Sequence, residues 1–584
     1  MKMIKSYLLK RNYPVWGDLL VVGSVFGSAF FFMLGRIGLI EPDEGRYAEI
    51  PREMLEQCDF ITPTLNYVAY FEKPPLHYWL TALSLKTIGM NEFAARLPGA
   101  LAGLMTVLLV YVTVRAIWGR SEAISSAIVL GASTGFVVQS RINLTDMTLT
   151  FCLTAALCSF MIASYKWQHK KLYYYLFYLF CGLAVLTKGL IGVLFPVCII
   201  LLYLLFNRSW HLLREMHLPD GILLLVVVTS PWFILVSQQH PDFAKFFFVH
   251  EHFERFLTTT HGRYQPFWFF FPIFLLTMLP WSFYAFRALL SGLQTRFQEE
   301  TDPRFFLFIW VTFVFIFFSI SHSKLIPYIL PIFPPVAMLI GIMFVRLVKG
   351  ETVTSLKAEN LSLMAVLTVG AAGCVIYSWL PALAPVLVRQ GWVSADNRLV
   401  TKIAILTPTA GGILGLIFIG MAMAVFWAAR KQSVVLLGLG LFCGSYLLEV
   451  VGQQFVLERI ALKKSSRELG QKAGQLLKKD GVLASFGYEQ SLPFYTGRRV
   501  VVVGSKGELE FGSKRGDQSD WFIDEERFVK LWQGERQIIA LLKQDELKRI
   551  EGSLYPAATV LGQKFKKLLI TNKRLASSER ITKN

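Results

Sequence analysis

Apolar stretches about as long as a bilayer is thick recur along this chain of 584 residues, and a soluble core has no use for so many of them. We place thirteen such spans, at 15–35, 96–118, 121–140, 147–165, 172–187, 189–207, 219–237, 267–287, 304–321, 325–346, 361–385, 402–428 and 433–451. Composition agrees: 54% of residues are hydrophobic and 17% are charged, against about a quarter charged in soluble domains. The pattern predicts an α-helical polytopic membrane protein and excludes a disordered chain, a disulfide scaffold and a soluble globule. The net charge of +19 is first a topology signal, and no nucleic-acid partner is expected. The seven cysteines show no metal-ligand spacing, so neither a disulfide nor a cysteine metal site is expected. The N-terminus is basic and then apolar without a small-residue cleavage site, which reads as an uncleaved first span.

Positive charge orients the spans. With the N-terminus cytoplasmic, strict alternation keeps nineteen basic residues of the short loops inside, from Lys2 to Lys431. Loop 36–75 then lies outside and carries eight acids against four bases. Merging the two short spans around Thr187-Lys188-Gly189 would turn the later basic clusters outward, so two spans are expected there. The C-terminus falls outside. Residues 1–451 form the membrane domain, with 36–95 as a first outer loop of juxtamembrane helices. Residues 452–584 hold 25 basic and 16 acidic residues. There β-like runs at Val482–Phe486, Val500–Val503 and Gln537–Leu541 alternate with helical stretches, which predicts a small α/β domain.

On this topology the ionisable residues gather at the outer face. They are Asp43, Glu44, Arg46, Tyr47, Glu72 and Lys73 of loop one, Asp146, Lys188, then His250, Glu251, His252, His261 and Arg263 in the loop before span eight, and Lys324 and Tyr328. Such groups at a bilayer edge are costly unless paired or wetted, so the cluster is a candidate site. Taken singly they have plainer readings. Residues 43–56 fit an amphipathic helix lying in the interface. Asp146 fits a helix cap, Lys188 and Lys324 fit snorkelling anchors, and His261 fits a surface histidine. Together, carboxylates beside lysines and arginines suit a phosphate-bearing substrate, and Glu72 with His261 suits a divalent metal such as zinc, magnesium or manganese. A site at the outer interface suits a lipid-linked substrate.

The runs Pro42-Asp-Glu-Gly-Arg-Tyr-Ala-Glu-Ile50, Tyr70-Phe-Glu-Lys-Pro-Pro-Leu-His-Tyr-Trp79, Leu186-Thr-Lys-Gly-Leu190 and Ser323-Lys-Leu-Ile-Pro-Tyr-Ile-Leu-Pro331 carry a resemblance. The chain resembles the polyprenyl-phosphate-dependent glycosyltransferases, in particular the aminoarabinose transferases of lipid A. Protein O-mannosyltransferases are more distant relatives. The resemblance covers roughly 10–450 and is weak in the tail. It implies a C-type glycosyltransferase fold of about thirteen transmembrane helices. It implies Asp43 as the catalytic-loop carboxylate, with Glu44 and Asp146 grouped beside it. Glu72 and His261 would lie near a metal, and Lys73, Lys188 and Arg263 around the donor phosphate. Arg46, Tyr47, Lys324 and Tyr328 would complete the substrate site. The expected substrates are a sugar on polyprenyl (undecaprenyl) phosphate and an outer-face acceptor, lipid A or another glycan. A protein O-mannosyltransferase and a lipid transporter are the alternatives. A transporter would place its charges near the midplane of two repeated halves, a pattern not visible here.

Overall fold

The computed structural model describes residues 14–166, 168–247, 264–297, 302–351, 355–390 and 407–573. The chain divides into two compact units, Met1–Leu34 with Leu97–Arg459, and Gly35–Arg96 with Ile460–Asn584. Loop one, which the sequence attaches to the spans on either side of it, thus clusters with the tail.

The first unit is built of apolar helices. Among the described residues of the chain, seven helices are long and apolar enough to cross a membrane, and nine if each of two bent pairs is one span. The protein is a multi-pass membrane protein. The bent pairs correct two spans read as straight. Arg120–Gly131 meets Thr134–Ser140 at 68°, and Phe267–Thr277 meets Ser282–Gln294 at 112°. The two breaks close on each other: the Thr134 N–H donates to the Leu279 carbonyl at 3.1 Å. A Cβ at Gly135 would lie 2.4 Å from the Thr277 side chain, so only glycine permits that approach. Around Thr187 the structure has two helices, Lys170–Lys188 and Ile191–Asn207. Gly189 parts them at φ +80°, a conformation that suits glycine. At another point of this unit, buried Asp18 accepts from Tyr111, Arg115 and Arg120 and so ties three helices together.

The second unit contains a six-stranded sheet in the order β5-β4-β3-β6-β8-β7. Its strands are β3 (Val482–Phe486), β4 (Val501–Val503), β5 (Phe522–Ile523), β6 (Ile538–Lys543), β7 (Thr559–Lys564) and β8 (Lys567–Thr571). Loop one contributes a two-stranded hairpin, β1 (Thr64–Leu65) and β2 (Val68–Ala69). β5, β4, β3 and β6 run parallel, and the β7–β8 hairpin adds to β6 antiparallel. The three apolar runs of the tail are β3, β4 and β6; the short β5 and the half-polar hairpin carry too little periodicity to read. Phe486, Phe528, Trp532, Ile538 and Ile570 fill one side of the sheet. Asn66 of loop one exchanges two 2.9 Å hydrogen bonds with the Val500 backbone, which pins the β1–β2 turn to the sheet.

In parallel sheets the carboxyl ends of the strands carry ligand loops, most of all where strand order reverses. β3 is that point, with β4 on one side and β6 on the other. The segments leaving β3 and β4 receive the loop-one helix Asp43–Gln57. A Cβ at Gly45 would lie 2.5 Å from the Ser491 nitrogen.

Candidate functional site

Helix Asp43–Gln57 is buried from Glu44 through Met54, which removes the reading of an amphipathic helix lying in the interface. Its charged residues are paired inside the protein. Glu44 accepts from both nitrogens of one Arg96 edge at 2.8 and 2.7 Å and from the Ile40 N–H at 2.9 Å. With its oxygens so occupied, Glu44 is a strut of loop one rather than a group free to react. Arg52 forks onto Glu49 at 2.8 and 2.7 Å. Glu53 accepts from Thr64 Oγ1 and the Tyr67 N–H, and burial pushes its carboxyl well above the usual range.

Arg46 is the centre of the second unit's polar cluster. Its guanidinium reaches Glu508 at 2.5 Å and Asp43 at 3.4 Å, and lies 5.8 Å from the ring centres of Tyr47 and Tyr70. Burial disfavours the Arg46 charge, but Tyr70, Glu508 and Glu72 outweigh it and keep the group firmly cationic. Burial holds the Glu508 carboxyl above its ordinary range, Arg46 opposes this, and Glu72 and Asp43 add to it. Gln490 Nε2 donates to Glu508 at 2.7 Å. Asp43 differs from these: its side chain is 50% exposed at the start of the helix. An accessible carboxylate held by a fixed cation can accept a proton or orient a hydroxyl. Tyr47 stacks on Tyr78 at 5.9 Å, so it is part of the packed wall. Lys73 Nζ donates to the Glu72 carbonyl at 2.7 Å. Pro74 and Pro75 follow it and fix the backbone there.

The first unit holds the other candidates. Lys188 pairs with Asp146 at 2.5 Å and lies 4.8 Å from the Tyr328 ring centre. Asp146 opens helix Thr145–Tyr165 and Lys188 ends helix Lys170–Lys188, each at the helix end that its charge favours. The structure therefore joins Asp146, Lys188 and Tyr328. Lys324 does not join them: its ammonium donates to the Gln265 carbonyl at 2.9 Å and to the Ser321 carbonyl. Those bonds, with the Tyr264–Ser323 bridge, tie two loop segments together, so a direct substrate role for Lys324 is replaced by a structural one. His261 and Arg263 lie outside the described residues. Among the described residues no group of three or more His, Cys, Asp or Glu side chains is placed to hold a metal.

Sequence reasoning missed Glu508 and Gln490. The available signal was slight: an acid just after the glycine pair 504 and 507 that follows an apolar β-run.

Glu41 gives this docking a pH dependence. Its carboxyl accepts from the Ser491 N–H at 2.8 Å and from the Ser491 hydroxyl. Burial, reinforced by Glu489, raises it to about 8. A carboxyl raised by folding contributes stability in full below its unfolded pKa near 4.5 and loses it as pH rises through about 8. The melting temperature of the purified protein should therefore fall between pH 6 and 9, and Glu41→Gln should flatten that fall. An unchanged pH slope in Glu41→Gln would remove this role.

Residues 38–247 match the dolichyl-phosphate-mannose-protein mannosyltransferase family, and residues 469–572 match the aminoarabinose transferase C-terminal domain. The second match extends the likeness into the tail, where the motifs are weak. The chain is 30% identical over 510 residues to undecaprenyl phosphate-alpha-4-amino-4-deoxy-L-arabinose arabinosyl transferase 1 of Proteus mirabilis, covering 86% of this chain and 88% of that protein. It is 29% identical to the corresponding transferase of Erwinia tasmaniensis, covering 88% and 90%. The crystal structure of ArnT from Cupriavidus metallidurans bound to undecaprenyl phosphate superposes with a TM-score of 0.81 at 27% identity, covering 96% of this chain and 98% of that one.

Proposed function

The chain belongs to the aminoarabinose transferase family, and from that premise we propose that it moves 4-amino-4-deoxy-L-arabinose from undecaprenyl phosphate to lipid A or another outer-face glycan. The observation that carries this reading is the likeness, over nearly the whole chain, to a structure that holds undecaprenyl phosphate. The match at 38–247 alone would also suit a protein O-mannosyltransferase; the further match at 469–572 favours aminoarabinose transfer.

In the proposed reaction an acceptor oxygen bonds to the anomeric carbon. The bond from that carbon to the phosphate oxygen breaks, and its electron pair leaves with undecaprenyl phosphate. Negative charge grows on the leaving phosphate, where the ammonium groups of Lys73 and Lys188 and the guanidinium of Arg263 are the assigned stabilisers. A hydroxyl acceptor must lose a proton, and Asp43 is the base within this chain; a phosphate acceptor needs none. Asp146 then serves to orient Lys188, which it already grips. The test is mass spectrometry of lipid A incubated with the purified protein and the lipid-linked sugar. A mass increase of one aminopentose supports the reading, and none with an intact donor refutes it.

The charge distribution puts the N-terminus in the cytoplasm and the C-terminus outside across thirteen spans. A reporter active only outside the cytoplasm should work when fused after Gly452 and fail after Lys431; the opposite pattern would reverse the orientation. A divalent metal would be held by Glu72 and His261, a carboxylate and imidazole donor pair that suits such an ion. It would supply further positive charge to the leaving phosphate. Glu72→Ala should lower metal content and transfer together. Full metal occupancy in that variant would leave Glu72 as a partner of the Arg46 cluster alone.

A further inference from the structure

The amino-terminal edge of the same sheet, opposite the edge that receives the loop-one helix, borders a cavity of about 620 Å³. Its walls come from the segments that lead into β3, β4, β5 and β6, together with Glu56 and Tyr67 of loop one. The volume is in the range of small-molecule sites.

The charges in this cavity are unbalanced. Two of its three acids are already engaged: Glu56 accepts from Arg52 and Tyr67, and Asp520 from Arg527. Asp480 remains. Against it stand Lys479, Arg498 and Arg536, whose side chains meet no carboxylate among the described residues. A fourth cation, Arg499, donates from Nη2 to the neutral Gln518 side chain at 2.6 Å and feels the charge of the Glu53 carboxyl without bonding to it among the described residues. Its Nε is buried with no hydrogen-bond partner among the described residues. The Arg499 guanidinium lies 4.1 Å from the Trp521 ring centre and 5.6 Å from that of Tyr67. Four cations facing one free acid repel one another, and an anion in their midst relieves the repulsion. Planar guanidinium groups suit phosphate oxygens in particular. Trp521 and Tyr67 add flat apolar faces, and Asp480 can accept from a hydroxyl. Phosphate, hydroxyls and an apolar ring face are united in a phosphorylated sugar.

We propose that this cavity binds a phosphorylated saccharide through Lys479, Arg498, Arg499 and Arg536 with Trp521 as its stacking face.

The test measures binding to the full-length protein in nanodiscs of zwitterionic lipid. The probes are a soluble bis-phosphorylated glucosamine disaccharide, the same disaccharide without phosphate, inorganic phosphate, and vesicles of phosphatidylglycerol. The bis-phosphorylated disaccharide should bind at least tenfold more tightly than any other probe. The double variant Arg498→Glu, Arg536→Glu should weaken it at least tenfold. Both residues are exposed, so the fold should survive. Arg498→Lys, Arg536→Lys should retain most of the binding, and Trp521→Ala should weaken the disaccharide but not inorganic phosphate. Wild-type affinity in the charge-reversed double variant would overturn the proposal. So would equal affinity for inorganic phosphate or for the vesicles, since either marks an unselective anion surface. The two readings fail separately. A wild-type protein that binds the disaccharide but never transfers a sugar refutes the transferase reading alone. One that transfers while its disaccharide binding ignores the arginine changes refutes the cavity alone.

Discussion

Arg96→Ala should destabilise the second unit by about 3–5 kcal/mol, the usual cost of leaving a buried charge without its partner. Arg96 is 1% exposed and so is Glu44, and their two hydrogen bonds form a fork that a single lysine amine cannot copy. The same guanidinium donates to the carbonyls of Ile37 at 2.7 Å and Gly38 at 3.1 Å, so its loss also strands two backbone acceptors. The fall in melting temperature should be on the order of 10 °C in detergent. Glu44→Gln should also be costly, because it leaves the buried Arg96 guanidinium, which keeps its charge, without a carboxylate. A loss below about 1 kcal/mol for Arg96→Ala would mean that water reaches Glu44 and that loop one is held elsewhere.

Lys73→Ala should reduce transfer by about ten- to a hundredfold in a protein that inserts and melts normally. A charge-assisted contact to phosphate is worth about 1.5–3 kcal/mol, and each 1.4 kcal/mol is about tenfold. Lys73 is the informative position because the prolines at 74 and 75 hold its backbone and keep the side chain from swinging away. The loss should be the same whatever sugar the donor carries, since the proposed contact is to phosphate. Normal transfer by Lys73→Ala would make Lys73 a surface anchor and would return the phosphate site to Lys188 and Arg263.

The membrane class, the separation of two helices at Gly189 and the three central strands of the tail are local or periodic properties, and the sequence carries them openly. A run of about 20 apolar residues has one stable setting, and alternating apolar runs of four to six residues have few. The candidate site was half legible for the same reason. Asp43 and Arg46 stand close together in loop one, as do Glu72 and Lys73, and Asp146 and Lys188 each mark a helix end. The bends within 120–140 and 267–294 were not legible, because each break is stabilised by the other through Thr134 and Leu279. Nor was the fate of Lys324, since backbone carbonyls are acceptors that every residue type offers. Glu508 is the clearest case. Its charge is tolerated inside the protein only because Arg46 and Gln490 meet it there, and residues so far apart in the chain leave no spacing to read. The sequence by itself determined which segments avoid water and which carry charge. Only the tertiary structure decided which charges meet, because an ion pair depends on distance and burial, and the folded chain alone sets both.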